Sequence, residues 1–314
     1  MEIIRGLEAL NKSYTNTVLT IGNFDGVHLG HQKILSMVLK RAEEIKGTSM
    51  AVTFEPHPMK VFAPEREMKL LTTLKEKARV TEVMGIKVLL CINFNKKFSN
   101  LQPDDFIEDV LVKKIGAKEV IVGPDYAFGK DRRGTIELLR RRGRKYGFSV
   151  KVVRNVKLHG DIVSSSSIRN LLLRGRVQEA SNFLGRAYSI EGKVIRGAGR
   201  GGKLLNIPTA NLTTPVEFAP KEGVYAVRVG FKDMFFDGVV NIGKKPTFGN
   251  SDVSYEVHLF NFSGNILGEG IRIYFIDWIR SERRFPDPFS LGKQIRNDIE
   301  SAKEILSRNC PKLL

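Results

Sequence analysis

Residues 17–35, TVLTIGNFDGVHLGHQKIL, carry the change of texture on which the fold turns. TVLTIG (17–22) is apolar and β-branched, as a buried strand requires. From Leu29 to Ile45 the apolar residues return with helical spacing. Between them lies GNFDGVHLGH (22–31), where the first strand ends and the first helix begins. Downstream the same alternation repeats. SMAVTF (49–54) reads as a strand, 73–84 as a helix, and IKVLLCI (86–92) as a strand covered on both faces. Pro103 to Ile115 reads as a helix with Pro in its first turn. KEVIVG (118–123), a helix over 134–146 and FSVKVV (148–153) complete the series. Repeated strand-then-helix units with apolar strands predict a doubly wound, Rossmann-like parallel sheet.

Residues 165–184 read as two short helices, SSSIRNLLLRG and RVQEASNFLG, each ended by glycine. Past Gly185 the helices stop. YSIEGKVI, VYAVRVGF, MFFDGVVNIG, SYEVHLFNF and GIRIYFIDWI are strand-like runs separated by turn residues, the pattern of a small antiparallel β-barrel. The tail, 289–308, places Ile295, Ile299, Ala302, Ile305 and Leu306 on one helical face. The expected organisation is therefore α/β followed by β, with domains at 1–185 and 186–314 and a C-terminal helix.

The 314 residues suit two domains, and 42% hydrophobic with 27% charged residues suit globular cores rather than disorder or a fibre. Cys91 and Cys310 are too few for a disulfide framework and fit a reducing compartment. No apolar run is long enough for a bilayer span, and MEIIRGLEAL lacks the layout of a secretory signal, so the cytoplasm is expected. A net charge of +17 suggests polyanionic partners: nucleotides, nucleic acid or acidic membrane. Charge alone does not choose among them. The basic run RRRGRKYG (140–147) reads as a solvated helix face, supported by Glu137 and Arg141 at i,i+4.

In an open α/β sheet, ligands bind at the carboxyl edge of the strands, which is where 22–31 falls. Gly22, Gly26 and Gly30 let backbone approach a phosphate, and a helix start presents unpaired N–H groups. His28 and His31 share a face of the first turn, where two imidazoles can donate to a phosphoryl group as its charge develops. A metal site or two surface histidines are the alternatives, although no cysteine cluster accompanies the pair. SSSSIR (164–169) sets hydroxyls at a helix start with Arg169 one turn in, either a phosphate cradle or a polar turn. Asp125 follows another strand at the same edge. His57 sits between two prolines, either shaping a pocket or serving the structure.

GNFDGVHLGH resembles the HxGH signature of the nucleotidylyltransferases and, among them, the bacterial bifunctional flavokinase/FAD synthetase family. TFEPHP (53–58) also has a counterpart there. GPDYAFGKDRRG (123–134) matches the family's GxDFxFG segment, and VSSSSIR (163–169) its ISSTxIR segment, with Ser166 in place of Thr. All four occur in the family's order. The resemblance implies an FMN adenylyltransferase domain. His28 and His31 would be catalytic, and Gly22, Asp25, Gly30, Asp125, Ser164, Ser165, Ser166 and Arg169 would contact nucleotide or phosphate. Some family members carry Asn at the position of Asp125, so a negative charge there is not essential.

The second half has its own constellation. NIPTANL (206–212) follows the glycine-rich, basic GAGRGGK (197–203), whose backbone N–H groups could wrap phosphates. Thr209 and Asn211 offer oxygen ligands suited to Mg²⁺, or simply a turn between strands. Glu256, in YEVHLFNF (255–262), shares a strand face with His258 and Phe260, as a general base or as an exposed glutamate. PTAN, NIGKKPTF and EVHLFNF together resemble the riboflavin kinase family in order and kind. The resemblance makes Thr209 and Asn211 the Mg-ATP ligands and Glu256 the base, with Asn241, Gly243, Arg283 and Phe285 on the flavin side. Asn206 stands where the family usually has Gly, and Asn261 where it often has Asp.

The resemblance thus implies phosphorylation of riboflavin to FMN, then adenylylation of FMN to FAD with release of pyrophosphate. Mg²⁺ would accompany ATP. Riboflavin, FMN and FAD would be substrates and products rather than a prosthetic group. Neither nucleic acid nor membrane is expected as a partner. An adenylyltransferase acting on a pantetheine or nicotinate phosphate would account for HLGH and SSSSIR but not for the barrel motifs. A nucleic-acid-binding protein on a decayed enzyme fold would account for the charge, yet no such module is recognisable.

Overall fold

The computed structural model describes residues 1–196, 208–245, 252–308 and 311–314. They form two units, Met1–Val163 and Ser164–Leu314. The helical pair expected at 165–184 thus falls in the same unit as the barrel, although the change in sequence texture comes only at Gly185.

In the first unit, Glu2–Arg5 (β1), Thr17–Ile21 (β2), Ser49–Glu55 (β3), Val88–Asn93 (β4), Ala117–Val122 (β5) and Ser149–Val152 (β6) build a six-stranded sheet in the order β1-β4-β3-β2-β5-β6. Every pairing is parallel. All of β2 is buried. Its alternation divides the core between the two sheet faces. Val18 packs with Leu35, Val38 and Ala42 of Leu29–Glu44 (α1). Leu19 and Ile21 pack with Phe106, Ile107 and Leu111 on the opposite face. The expected doubly wound sheet is observed. β1 was not anticipated: it is an edge strand with one buried residue, too short to show an apolar pattern.

From β2 the chain steps to β3 and β4 on one side, and the later β5 and β6 lie on the other. The strand order therefore reverses between β2 and β5, and the loops leaving their carboxyl ends flank the switch point, the preferred ligand crevice of such sheets. The helix expected over 103–115 is a short α-turn, Pro103–Asp105, continued by π-helical turns over Phe106–Lys114. Pro103 occupies its first turn as expected. The basic run lies on the helix Ile136–Tyr146, capped by the Thr135 side chain. Its partner differs from expectation. Arg142 pairs with Asp104 at 2.7 Å, and no Glu137–Arg141 ion pair occurs among the described residues.

In the second unit, Ser165–Leu173 (α7) and Val177–Leu184 (α8) precede a closed antiparallel barrel. Its strands are Tyr188–Ile195 (β9), Ala210–Thr213 (β10), Gly223–Phe231 (β11), Met234–Lys245 (β12), Asp252–Leu259 (β13) and Gly270–Arg280 (β14). Tyr225, Val227, Val240, Tyr255, Val257 and Phe275 are among its buried residues. The C-terminal helix, Pro288–Arg308 (α9), lays Ala302 and Leu306 on Val224, Ala226, Val239 and Ile276. β10 was hidden in the sequence because it opens within the turn-like PTANL. No helix among the described residues is long and apolar enough to cross a membrane.

Candidate active sites

At the switch point of the first unit, His28 is the N-cap of α1. Its Nδ1 accepts the His31 backbone N–H at 3.4 Å. That acceptor role puts the proton of the neutral ring on Nε2, which becomes a donor. The two imidazoles stack, with centroids 3.7 Å apart and planes 20° from parallel. Gly30 leaves room for this stack, since a Cβ there would crowd the His28 ring at 3.0 Å. Phe24 meets His31 edge-on at 5.3 Å. Burial, then the neighbouring His28 and Lys77, hold the His31 pKa well below the usual histidine value. His31 is therefore neutral at pH 7, and its Nδ1 is buried without a hydrogen-bond partner among the described residues. Among the described residues, no group of three or more His, Cys, Asp or Glu side chains is arranged to hold a metal ion.

The sequence did not single out Lys77, on the helix Leu74–Val83. It is buried, and Nζ donates to Thr53 Oγ1 at 3.1 Å. The Thr53 hydroxyl donates in turn to the Asn23 carbonyl at 3.3 Å. Burial lowers the Lys77 pKa, while Asp25 and Glu55 oppose that shift. A buried ammonium thus stands behind the histidine loop. Asp25, expected at the nucleotide, also binds the loop at 71–72. Its carboxylate accepts the N–H groups of Leu71 (3.3 Å) and Thr72 (3.1 Å) and the Thr72 hydroxyl (3.2 Å). His57 caps the short helix Pro58–Phe62 through the Met59 N–H, a local structural role.

Beside this loop opens a cavity of about 290 Å³. Gly22 and Asn23, after β2, line one part, and Asp125 to Gly129, after β5, line another. Its walls are aromatic, with Phe54, Phe94, Phe98, Phe106, Tyr126 and Phe128 among them, and Ser99 and Arg132 add polar groups. The fold thus brings Gly22 and Asp125 to one concavity. An apolar slot with a few polar groups at a switch point suits a flat heteroaromatic ligand.

In the second unit, Ser164 is the N-cap of α7, accepting the Ser167 N–H at 3.1 Å, as a serine at that place should. Ser165 and Arg169 lie in the first turns of α7 and are half-buried, while Ser166 is exposed.

On the barrel, register assembles the other constellation. Asn211 of β10 pairs with Glu256 of β13, and Glu256 pairs with Asn241 of β12. Three adjacent strands thus carry an amide, a carboxylate and an amide in one row, at the spacing of direct cross-strand neighbours. Asn211 is buried and Thr209 is exposed just before β10. His258, on the Glu256 face of the strand, holds the approach to Thr209 through a 2.8 Å hydrogen bond between Nδ1 and the Pro208 carbonyl. Asn241 Nδ2 donates to Glu282 Oε1 at 3.4 Å. Gly243 lets Glu282 come this close, because a Cβ would sit 2.6 Å from Oε1.

After β14, the Arg283 guanidinium lies 4.8 Å from the Phe285 ring centroid and donates to Gln294. Gln294 also donates to Asp298, which pairs with Arg280 at 2.8 Å. Arg283 and Phe285 are thereby tied to α9. Next to Thr209 a second concavity of about 390 Å³ is lined by Arg196, Pro208, Ala210 and the loop 262–267. Asn261 begins that loop at φ 52°, a left-handed conformation that asparagine tolerates well. The stretches GAGRGGK and 246–250, with Asn206, lie outside the described residues.

Comparison with known proteins matches residues 10–167 to the FAD synthetase family and residues 184–306 to the riboflavin kinase family. A protein of Buchnera aphidicola subsp. Schizaphis graminum, described as a bifunctional riboflavin kinase/FMN adenylyltransferase, is 38% identical over 97% of this chain and 98% of its own. One of the same description from Haemophilus influenzae is 37% identical over 96% of this chain and 98% of its own. A crystal structure from Streptococcus pneumoniae, described as a macrolide-efflux protein, is 28% identical. It covers 96% of this chain and 99% of its own, with a TM-score of 0.88.

Proposed function

The chain belongs to the bifunctional riboflavin kinase/FMN adenylyltransferase family, and from that premise we propose that it makes FMN from riboflavin and then FAD from FMN, with each half of the chain performing one reaction. The observation that carries this reading is the pairing of two unlike sites in one protein. One is a histidine-capped helix start beside an aromatic cavity. The other is a carboxylate flanked by two amides on a barrel face.

Adenylylation is assigned to 1–185, with the helical pair included because it carries Ser164 to Arg169. A phosphate oxygen of FMN attacks the α-phosphorus of ATP, and pyrophosphate leaves. No protein nucleophile takes part. The α1 N-terminus and the Nε2–H of His28 face the negative charge that grows on the α-phosphoryl oxygens. His31, kept neutral, supports the stack and offers a second ring nitrogen. The aromatic cavity takes the isoalloxazine ring, with Gly22 and Asp125 at its edge. Asp25 serves by holding the 71–72 loop in place. Ser164, Ser165, Ser166 and Arg169 take the phosphate-binding role that the family pattern gives them.

Phosphorylation is assigned to 186–314. Glu256 takes the proton of the riboflavin 5′-hydroxyl as the γ-phosphoryl arrives. Thr209 and Asn211 would hold Mg²⁺. The donor set fits, with a hydroxyl and a buried amide oxygen beside a carboxylate, all hard oxygen ligands. When bound, the ion neutralises phosphate charge. Asn241, Gly243, Arg283 and Phe285 form the flavin side, and the concavity beside Thr209 takes the nucleoside of ATP.

The test is a timed separation of flavins after mixing the protein with riboflavin, ATP and Mg²⁺. FMN should appear first and FAD later, and chelation of Mg²⁺ should silence the first step. FMN without FAD would refute the adenylylation assignment.

A further inference from the structure

The aromatic cavity of the first unit cannot by itself select its flavin. Riboflavin and FMN carry the same isoalloxazine ring, and in the proposed pair of reactions both are present, one as the substrate of each half. Aromatic walls hold that ring alike in either molecule. A phosphate is what separates the two flavins. Of the residues lining the cavity, only Asp125 and Arg132 carry charged side chains. The Arg132 side chain is exposed, and its guanidinium has no ion-pair or hydrogen-bond partner among the described residues. Its neighbour Asp131 turns to Arg133 instead, at 3.6 Å.

The loop that carries Arg132 is pinned on both sides. Phe128 and Gly134 close it through their paired backbone hydrogen bonds. Gly129, at φ 70°, lies against Pro103, where a Cβ would meet the proline ring at 2.8 Å. The Lys130 N–H donates to the Leu101 carbonyl at 2.8 Å. Between these anchors Asp131 and Arg132 both take left-handed backbone, at φ 54° and 59°. Such a conformation is uncommon outside glycine and persists where the surroundings hold it. A held loop thus presents an unpaired guanidinium to the cavity. Gly22 and Asn23 line the same cavity and lead into the loop of His28.

We propose that Arg132 gives the adenylyl-transfer site its preference for FMN over riboflavin, its guanidinium binding the FMN phosphate. The proposal rests on the reading of this cavity as the FMN site. A guanidinium fork matches two phosphate oxygens at once and stays charged over the whole working range. Riboflavin gains only the ring contacts, so it does not block the site that must take its phosphorylated product.

The experiment compares wild type with Arg132→Gln, Arg132→Lys and Phe98→Ala in adenylylation, with FMN varied and, separately, ATP varied. Lumiflavin, which keeps the ring and lacks the ribityl phosphate, is added as a competitor of FMN. Riboflavin phosphorylation by the same preparations reports folding. Arg132→Gln should raise the KM for FMN by about 5- to 20-fold, less than the full worth of a charged hydrogen bond because the arginine is exposed. The KM for ATP and the inhibition constant of lumiflavin should stay at their wild-type values. Arg132→Lys should recover part of the loss, since it keeps the charge without the fork. If Arg132→Gln keeps the wild-type KM for FMN while Phe98→Ala raises it, the arginine proposal falls and the cavity assignment stands. If neither variant moves that KM, both fall. A rise in the KM for ATP instead would put Arg132 on the other substrate, and weaker inhibition by lumiflavin would make it a support of the cavity wall; either result overturns the proposal.

Discussion

Replacing Gly134 with alanine tests the aromatic cavity at a distance from any polar chemistry. Gly134 and Phe128 form a short bridge, with Phe128 N–H donating to the Gly134 carbonyl at 3.1 Å and Gly134 N–H to the Phe128 carbonyl at 2.8 Å. A Cβ on residue 134 would lie 2.6 Å from Phe128 Cδ2, 2.7 Å from Cε2 and 2.6 Å from the Phe128 carbonyl oxygen. Carbon atoms rest comfortably at about 3.5–4.0 Å, so the ring must retreat by about 1 Å. It cannot do so freely, because Phe106 and Tyr126 pack on it with centroids 5.4 and 5.5 Å away. Overpacking of this kind costs about 1–3 kcal/mol. If the bound ring holds Phe128 in its present place, the whole penalty falls on FMN binding, a rise of about 5- to 150-fold in KM. The assay is steady-state adenylylation with FMN varied at saturating ATP. Riboflavin phosphorylation by the same preparation reports whether the protein is folded. An unchanged KM for FMN would refute the assignment of the cavity.

Two further outcomes follow from the charges around the histidine loop. The folded pKa of His31 lies below its unfolded value of about 6.5, so the unfolded chain binds more protons between the two. The stabilising contribution is fully present above pH 6.5 and is lost as pH falls toward the folded pKa, by at most about 1.4 kcal/mol per pH unit. Denaturant midpoints from pH 7.5 to 5 should therefore fall less steeply in His31→Gln than in wild type; parallel curves would contradict the buried, neutral ring. Lys77→Met removes the ammonium behind Thr53 and Asn23. FAD formation should drop by about tenfold or more, the value of a charged hydrogen bond, with FMN formation unaffected. Equal loss of both activities would instead make Lys77 a matter of folding.

The parts of the molecule that were legible in sequence are those written contiguously. The β2 strand, its glycine loop and α1 occupy one stretch, so strand, cap and helix could be read together. The barrel row was half legible. Glu256 and Asn211 were named from their segments, but only register shows that they are neighbours, and β10 was concealed by the turn residues before it. The aromatic cavity was not legible, because Phe54, Phe94, Phe106 and Phe128 come from four separate segments and each looks like ordinary core. Lys77 lies in the helix expected over 73–84 and belongs to none of the motifs. Its burial is a tertiary fact, and the only sequence hint is a charge on the helix face that should be apolar. The hydrogen bonds from Asp25 to the 71–72 loop were not legible for a similar reason, since those partners are distant in sequence.

The central claim is that two chemistries are divided between two sites, and one pair of variants tests it most directly. His28→Ala and Glu256→Gln would each be given riboflavin, ATP and Mg²⁺, and in parallel FMN, ATP and Mg²⁺, with the flavins separated over time. His28→Ala should accumulate FMN and form no FAD from either mixture. Glu256→Gln should form no FMN from riboflavin yet convert supplied FMN to FAD at the wild-type rate. Loss of both activities from either folded variant would contradict the division.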